Sequence, residues 1–393
     1  MDNKAPQRML LLMAFMMPLT FSVWQALLNN FAIEAADFTG KEIGMLQSLR
    51  EVPGFLAFTA VFLLGFVREQ RFALFSLALL ALGVGLTGEF PTVLGLYLTT
   101  VLMSVGFHYF ETVNQSLTLQ WLPKEESAHF MGKALAVKAA AALLAYGGIW
   151  LLMGQLGLNY RQLYWLAAAI GLGMVLYMSL RFPLFPQPVA QNKGMVLRKR
   201  YWLYYALTFL SGARRQIFMV FAGFMMVEKF GYSVADISLL YLVNHVFNLL
   251  LAARIGKLIG RIGERRALTI EYIGLIGVFA GYALVEDGRL AAGLYVVDHL
   301  FFAMAIAIKT YFQKIGDQAD MAGTAGVSFT INHIAAVVIP ALLGLVWLSD
   351  PSLVFYVGCG FACCSLLLAR LVPAAPAPGQ EVALPLLKEK EAT

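Results

Sequence analysis

Apolar runs about as long as a bilayer core is thick recur along residues 9–372, separated by short polar breaks. A helix needs about 20 apolar residues to cross hydrocarbon. Twelve segments meet that length, over about 9–33, 42–67, 72–89, 92–119, 128–154, 160–181, 201–228, 234–257, 267–285, 290–314, 322–347 and 352–372. The longest internal polar break, 183–200, carries Pro183, Pro186, Pro188, Gln191, Asn192 and Lys193 and divides the spans six and six, so it reads as a linker. The pattern predicts an all-α integral membrane protein of twelve transmembrane helices in two six-helix pseudo-symmetric bundles, 1–182 and 201–372. The tail, 373–393, is rich in proline and charge and is expected to be disordered. No stretch remains for a soluble domain.

The halves repeat. Placing Ile43 on Ile237 also pairs Glu34 with Glu228, Leu46 with Leu240, Arg71 with Arg265, and Ala73 and Leu74 with Ala267 and Leu268. Further on, Gly95, Leu96 and Tyr97 match Gly293, Leu294 and Tyr295, and the same register pairs Glu111 with Lys309 and Gln115 with Gln313. A parallel six-plus-six repeat is the arrangement in which two bundles enclose a site near the bilayer midplane and rock about it.

Composition agrees with a lipid setting: 60% of the 393 residues are hydrophobic and 13% charged, against about 45–50% and 25% in a soluble domain. A formal charge of +6 points to nucleic acid in a soluble protein, but here the basic residues sit in alternate short loops. Lys4, Arg8, Arg68, Arg71, Lys124, Arg198, Lys199, Arg200, Lys257, Arg261, Arg265, Arg266 and Lys314 fall on one side, and little more than Lys41, Arg161, Lys229 and Arg289 on the other. By the positive-inside rule both termini and the linker are cytoplasmic. Nucleic acid is rejected as a partner. Cys359, Cys363 and Cys364 all lie in the last apolar run, which leaves no disulfide framework and no metal-finger spacing. The first run is too long for a signal-peptide core and reads as a retained helix.

The stretch 256–268, GKLIGRIGERRAL, follows the eighth span and resembles the basic Gly-rich loop of the major facilitator superfamily. Gly256, Arg261, Gly263, Arg265 and Arg266 match, Gly260 replaces the family's acidic residue, and the first-half equivalent at 65–71 is shortened. The resemblance implies that spans three, six, nine and twelve lie outside and the other eight border the cavity. Charge partitions accordingly: 72–88, 164–180 and 353–368 hold no ionisable group but cysteine, and span nine holds only Glu271, near its cytoplasmic end. Intramembrane charge is tolerated where it faces protein or water.

The deeper ionisable residues of the inner spans supply the candidate chemistry. Arg214 and Arg215 stand side by side near the middle of 201–227, where even one arginine costs at least about 2.5–3.5 kcal/mol to insert. Adjacent helical residues lie about 100° apart, so one is expected to bind solute and the other to pair. The same spacing separates Arg50 from Glu51 and leaves Arg50 on the face of Gln47 and Gly54. Ser22, Gln25 and Asn29 add uncharged hydrogen-bonding groups on span one, and Lys138, Asn244 and His245 complete the expected solute-binding set. In span four Ser104, His108, Glu111, Gln115 and Thr118 fall on one helix face. Glu111 is the preferred proton carrier, with Lys309 its expected gate partner by the repeat, and Asp298, His108 and Glu51 are the further coupling candidates.

Leaving histidine aside, five deep cations (Arg50, Lys138, Arg214, Arg215, Lys309) face three acids (Glu51, Glu111, Asp298). Arginine's fork matches carboxylate or phosphate, so an anionic organic solute is expected. No Walker-type phosphate loop is present, which leaves ion gradients as the energy source. The first reading is proton-coupled symport by alternating access, in a bacterial inner membrane, by a monomer that needs no cofactor and is not an enzyme. Two alternatives stand beside it. One is proton-driven efflux of amphipathic compounds along aromatics such as Trp24, Phe218 and Phe221. The other is transport of a metal or metal chelate by His245, Asp298, His299 and His333.

Overall fold

The computed structural model describes residues 4–59, 63, 66–121, 124–186, 197–317 and 321–383. Within them the chain forms twelve helices: α1 (Ala5–Ala36), α2 (Gly40–Phe55), α3 (Glu69–Thr87), α4 (Val93–Trp121), α5 (Lys124–Gly154) and α6 (Tyr160–Arg181), then α7 to α12. α7 runs over Trp202–Gln216, a π turn Ile217–Ala222 and Gly223–Glu228. α8 is Val234–Ile262 and α9 Glu264–Leu284. α10 runs over Gly288–Phe302, a 3₁₀ turn Ala303–Ala305 and Ile306–Ile315. α11 is Met321–Trp347 and α12 Pro351–Arg370. Nine helices among the described residues are long and apolar enough to cross a membrane. The other three are α2, with Lys41, Glu42, Arg50 and Glu51 in sixteen residues, α7, which the π turn divides, and α8, whose apolar stretch is Val234–Phe247.

Local chemistry sets the helix ends. α1 stops at Asp37, which takes a left-handed φ of 51°, a conformation that aspartate tolerates better than most residues. Two residues later Thr39 and Glu42 form a capping box that starts α2. Pro53 lies near the end of α2, which passes into the 3₁₀ turn Leu56–Thr59. Asn159 and Gln162 form the capping box of α6.

Between α3 and α4, Glu89 Oε1 accepts from Trp165 Nε1 and from Arg161 Nε, both at 2.6 Å. These two donors hold its carboxyl below the usual range. The stability this adds is present above the unfolded-state value and is lost as pH falls through the lower folded-state value. Glu89→Gln is therefore expected to reduce the loss of melting temperature on acidification from neutral pH, read by thermal unfolding of both proteins at matched pH values.

The described residues cluster into two compact units. One takes Met1–Asn192 with Val227–His245, the other Lys193–Met226 with Val246–Thr393. This differs from a cut at the linker, because the end of α7 and the first part of α8 belong with the first unit. In the first unit α1 packs on α5 and α6, α3 on α4 and α6, and α2 on α4. In the second, α9 packs on α12 and α10, and α7 on α11 and α12. Large apolar side chains also face outward: Leu180, Leu284 and Leu367 are 79%, 69% and 70% exposed, as suits a surface solvated by lipid.

The expectation of a wholly disordered tail is corrected over 373–383. Ala383 N donates to Leu371 O at 2.7 Å, Tyr311 Oη donates to the Glu381 carbonyl, and the Glu381 carboxylate lies 3.8 Å from Arg200 Nη1. Gly379, at φ 80°, makes the turn between Ala377 and Gln380. The prolines bar a helix here, and the segment of bends and a turn is held to the second unit by hydrogen bonds. The remaining tail, 384–393, and the linker residues 187–196 lie outside the described residues.

Candidate functional site

Each unit contains its own buried polar constellation. In the first, α2 and α4 carry it. Arg50 pairs with Glu51, and Glu51 Oε2 lies 4.0 Å from His108 Nε2. Ser104 donates to the Arg50 carbonyl. The direct Arg50–Glu51 contact corrects the expectation that their 100° offset holds them apart: a long guanidinium side chain folds back far enough to cover it. The charge of Arg50 is thus met inside its own helix.

The polar face of α4 is shared between two neighbours. Ser104 and His108 meet α2, while Glu111 Oε1 accepts from Lys138 Nζ of α5 at 3.2 Å, both side chains being about one-third exposed. Lys138, expected to bind solute, is the cation that Glu111 engages within the first unit. Thr118 bonds back to the Asn114 carbonyl at 2.7 Å. The Gln115 side chain lies outside the described residues. Lys309, on α10 of the second unit, is exposed.

A third group of the first unit joins α1, α5 and α8. Tyr146 stands edge-on to Tyr241 and His245 at 5.3 and 5.2 Å and hydrogen-bonds Ser22. His245 Nδ1 contacts the Tyr241 carbonyl at 3.0 Å. Asn29 is buried and Gln25 half-buried on α1. Asn244 is 2% exposed, and its two amide atoms have no hydrogen-bond partner among the described residues. Tyr146 was absent from the sequence-derived set. The only signal for it in the sequence was its place before Gly147 and Gly148.

In the second unit the adjacent arginines of α7 separate. Arg214 is wholly buried, with Nη2 3.5 Å from Oε1 of Glu271 on α9, Nη1 donating to Ser365 of α12, and Cζ 4.4 Å from the centre of the Tyr272 ring. Asp298 of α10 is also fully buried and within electrostatic reach of both Arg214 and Glu271. Arg215 is exposed and makes contacts of its own. Of the two arginines, Arg214 is the one that pairs: its fork is engaged by α9 and α12. Glu271 is the residue that sequence reasoning set aside, although it is the lone acid in an otherwise apolar run and carried that signal.

Trp24, Phe218 and Phe221, the aromatics of the efflux alternative, are buried. Trp24 and Phe221 have no exposed surface and Phe218 has 1%. Phe218 packs on Tyr295, His299 and Phe302, and Phe221 stacks on Trp347 at 5.3 Å. His333 Nδ1 contacts the Phe329 carbonyl one turn back at 2.8 Å, as His245 contacts that of Tyr241.

Comparison with known proteins sets these constellations in a family. The profile described as Major Facilitator Superfamily matches residues 9–340. No curated protein matches the chain. Among solved structures, the nucleoside transporter NupG superposes with a TM-score of 0.76 at 15% identity, covering 94% of this chain and 98% of that one. A bacterial homologue of the human lysosomal transporter Spinster, inward-facing and unoccupied, gives 0.76 at 12% identity, covering 98% and 99%. With its twelve helices and a profile match over most of its length, the chain belongs to the major facilitator superfamily: it is a multi-pass membrane transporter of a small solute that works by alternating access, and not an enzyme.

Proposed function

We propose that this transporter moves a small anionic organic solute together with protons. The observation that carries the reading is the division of labour between the two arginines of α7. Arg214 is committed to acids of its own unit, whereas Arg215 is exposed at mid-helix, where a cation is tolerated only if it meets water or protein rather than lipid. A guanidinium on a wetted surface recognises carboxylate or phosphate by two-point hydrogen bonding. Lys309, also exposed, adds a second cation on an inner helix of the same unit. Gln25, Asn29, Asn244 and His245 supply neutral donors and acceptors on the first unit. Proton coupling draws support from the buried carboxyl groups, Glu51, Glu271 and Asp298. The basic loops favour an orientation with both termini cytoplasmic, in a bacterial inner membrane.

The test is thermal stabilisation of the purified protein by a panel of carboxylates, phosphates, metals and lipophilic cations. A ligand at a hundred times its Kd adds about 2.7 kcal/mol of apparent stability. One class of organic anion is expected to stabilise, and Arg215→Ala is expected to weaken that binding by about tenfold to a hundredfold, the worth of a charge-assisted hydrogen bond. Stabilisation by metals or lipophilic cations alone, unchanged in Arg215→Ala, sinks the reading.

A further inference from the structure

Three ionisable side chains of the second unit have no exposed surface and lie within electrostatic reach of one another: Arg214, Glu271 and Asp298. One guanidinium cannot neutralise two carboxylates. Among the described residues both oxygens of Asp298 and both of Glu271 lack a hydrogen-bond partner, but Glu271 Oε1 lies 3.5 Å from Arg214 Nη2, an ion-pair distance, and Asp298 has no such ion pair. A carboxylate with neither a hydrogen bond nor a cation at ion-pair distance is not sustained in a dry interior, where such a group takes up a proton instead. Among the described residues Arg214 is the one cation within electrostatic reach of Asp298, and the groups around the cluster come from four helices. Arg214 comes from α7, Glu271, Tyr272 and Tyr282 from α9, the Ser365 hydroxyl from α12, and His299, the next residue of α10, packs edge-on to Phe218.

A second observation, independent of charge, concerns the helices that carry the cluster. The π turn of α7 begins three residues after Arg214, and the 3₁₀ turn of α10 begins five residues after Asp298. Breaks of this kind mark the points at which helices bend. Two helix breaks of the second unit therefore lie beside the cluster of Arg214, Glu271 and Asp298.

We propose that Asp298, held against the Arg214–Glu271 ion pair, is an exchangeable proton-binding site inside the second unit, reached by bending of α7 and α10 and distinct from any solute-contacting surface. The inference rests on the proton-coupled reading above and names where its proton sits. Loaded, the cluster is neutral: Arg214 carries +1, Glu271 −1, and the Asp298 carboxyl is a neutral acid. When water reaches it, the Asp298 O–H bond breaks, the proton passes to water, and the carboxylate left behind takes N–H donors of Arg214 that neither Glu271 nor Ser365 uses. Drying the cluster again requires the proton back, because the extra negative charge cannot be buried unpaired. Glu271 acts as a positioning residue that keeps Arg214 from ionising Asp298.

Infrared difference spectroscopy of the whole protein in nanodiscs, stepped between acidic and alkaline pH, tests this without any solute. The wild type is expected to show a protonated-carboxyl carbonyl band that is lost on the alkaline side and is shifted by carbon-13 aspartate. Asp298→Asn is expected to fold as the wild type does, since the amide is the isostere of the neutral acid, and to lose the band completely. Glu271→Gln is expected to lose it as well at neutral pH, because Asp298 then becomes the sole partner of Arg214. A band that ignores aspartate labelling, survives in Asp298→Asn or persists at every pH overturns the site, as does failure of Asp298→Asn to fold. A confirmed band with solute transport indifferent to pH leaves the site standing and sinks symport. Proton-dependent transport retained in Asp298→Asn does the reverse.

Discussion

Replacing Arg214 by alanine is expected to destabilise the folded protein by about 3–5 kcal/mol, the cost of breaking a buried ion pair from one side. Among the described residues the guanidinium is the only cation paired with Glu271, and both side chains are wholly buried. Its removal leaves a carboxylate in a dry interior, frees the Ser365 hydroxyl from its donor and takes the cation from the Tyr272 ring. The control is the neighbouring Arg215→Ala, whose exposed side chain carries no such penalty. A further variant, Arg214→Met with Glu271→Leu, removes both charges and is expected to recover most of the loss, since well-packed apolar replacements of buried pairs are often neutral or stabilising. Thermal unfolding in nanodiscs reads all three. Equal stability of Arg214→Ala and Arg215→Ala would show that Arg214 is not committed to Glu271.

Gly106→Leu is expected to be as damaging by a different mechanism. A Cβ at Gly106 would stand 2.3 Å from Leu80 N and 2.5 Å from Ser76 O, and one at Gly83 would stand 2.4 Å from Met103 N. The obstructing atoms are mostly backbone, so neither helix can yield by turning a side chain. Small residues at helix crossings let membrane helices approach this closely. The leucine must push α3 and α4 apart, at about 3 kcal/mol or more, the upper range for overpacking. Gly106→Ala is expected to be damaging too, whereas Gly173→Ala, with nothing within 4 Å of the added Cβ, is expected to change little. Yield of monodisperse protein and melting temperature discriminate. Tolerance of leucine at Gly106 would refute the close crossing of α3 and α4.

Both expectations depend on which face of a helix meets which neighbour, and there sequence and structure part. Glu271 illustrates it. Position along the chain put it near the end of a peripheral helix, yet the packing of α9 on α12 and α10 turns it inward to Arg214. Arg50 and Glu51 were separable on a helical wheel, but side-chain length brings them together. The tail looked disordered by composition, while 373–383 is fastened by backbone bonds that composition does not register.

What the chain determined by itself was the architecture: an all-α membrane protein of twelve helices, and membership of a transporter family. The reason is physical, since in hydrocarbon a backbone must satisfy its own hydrogen bonds, and any sufficiently long apolar run becomes a helix whatever its neighbours. Tertiary structure alone decided which polar residues meet. Lipid is as apolar as a protein core, so a membrane helix has little hydrophobic asymmetry from which its rotation can be read. The choice between Arg214 and Arg215 therefore waited on the acids that α9 and α10 bring to one of them.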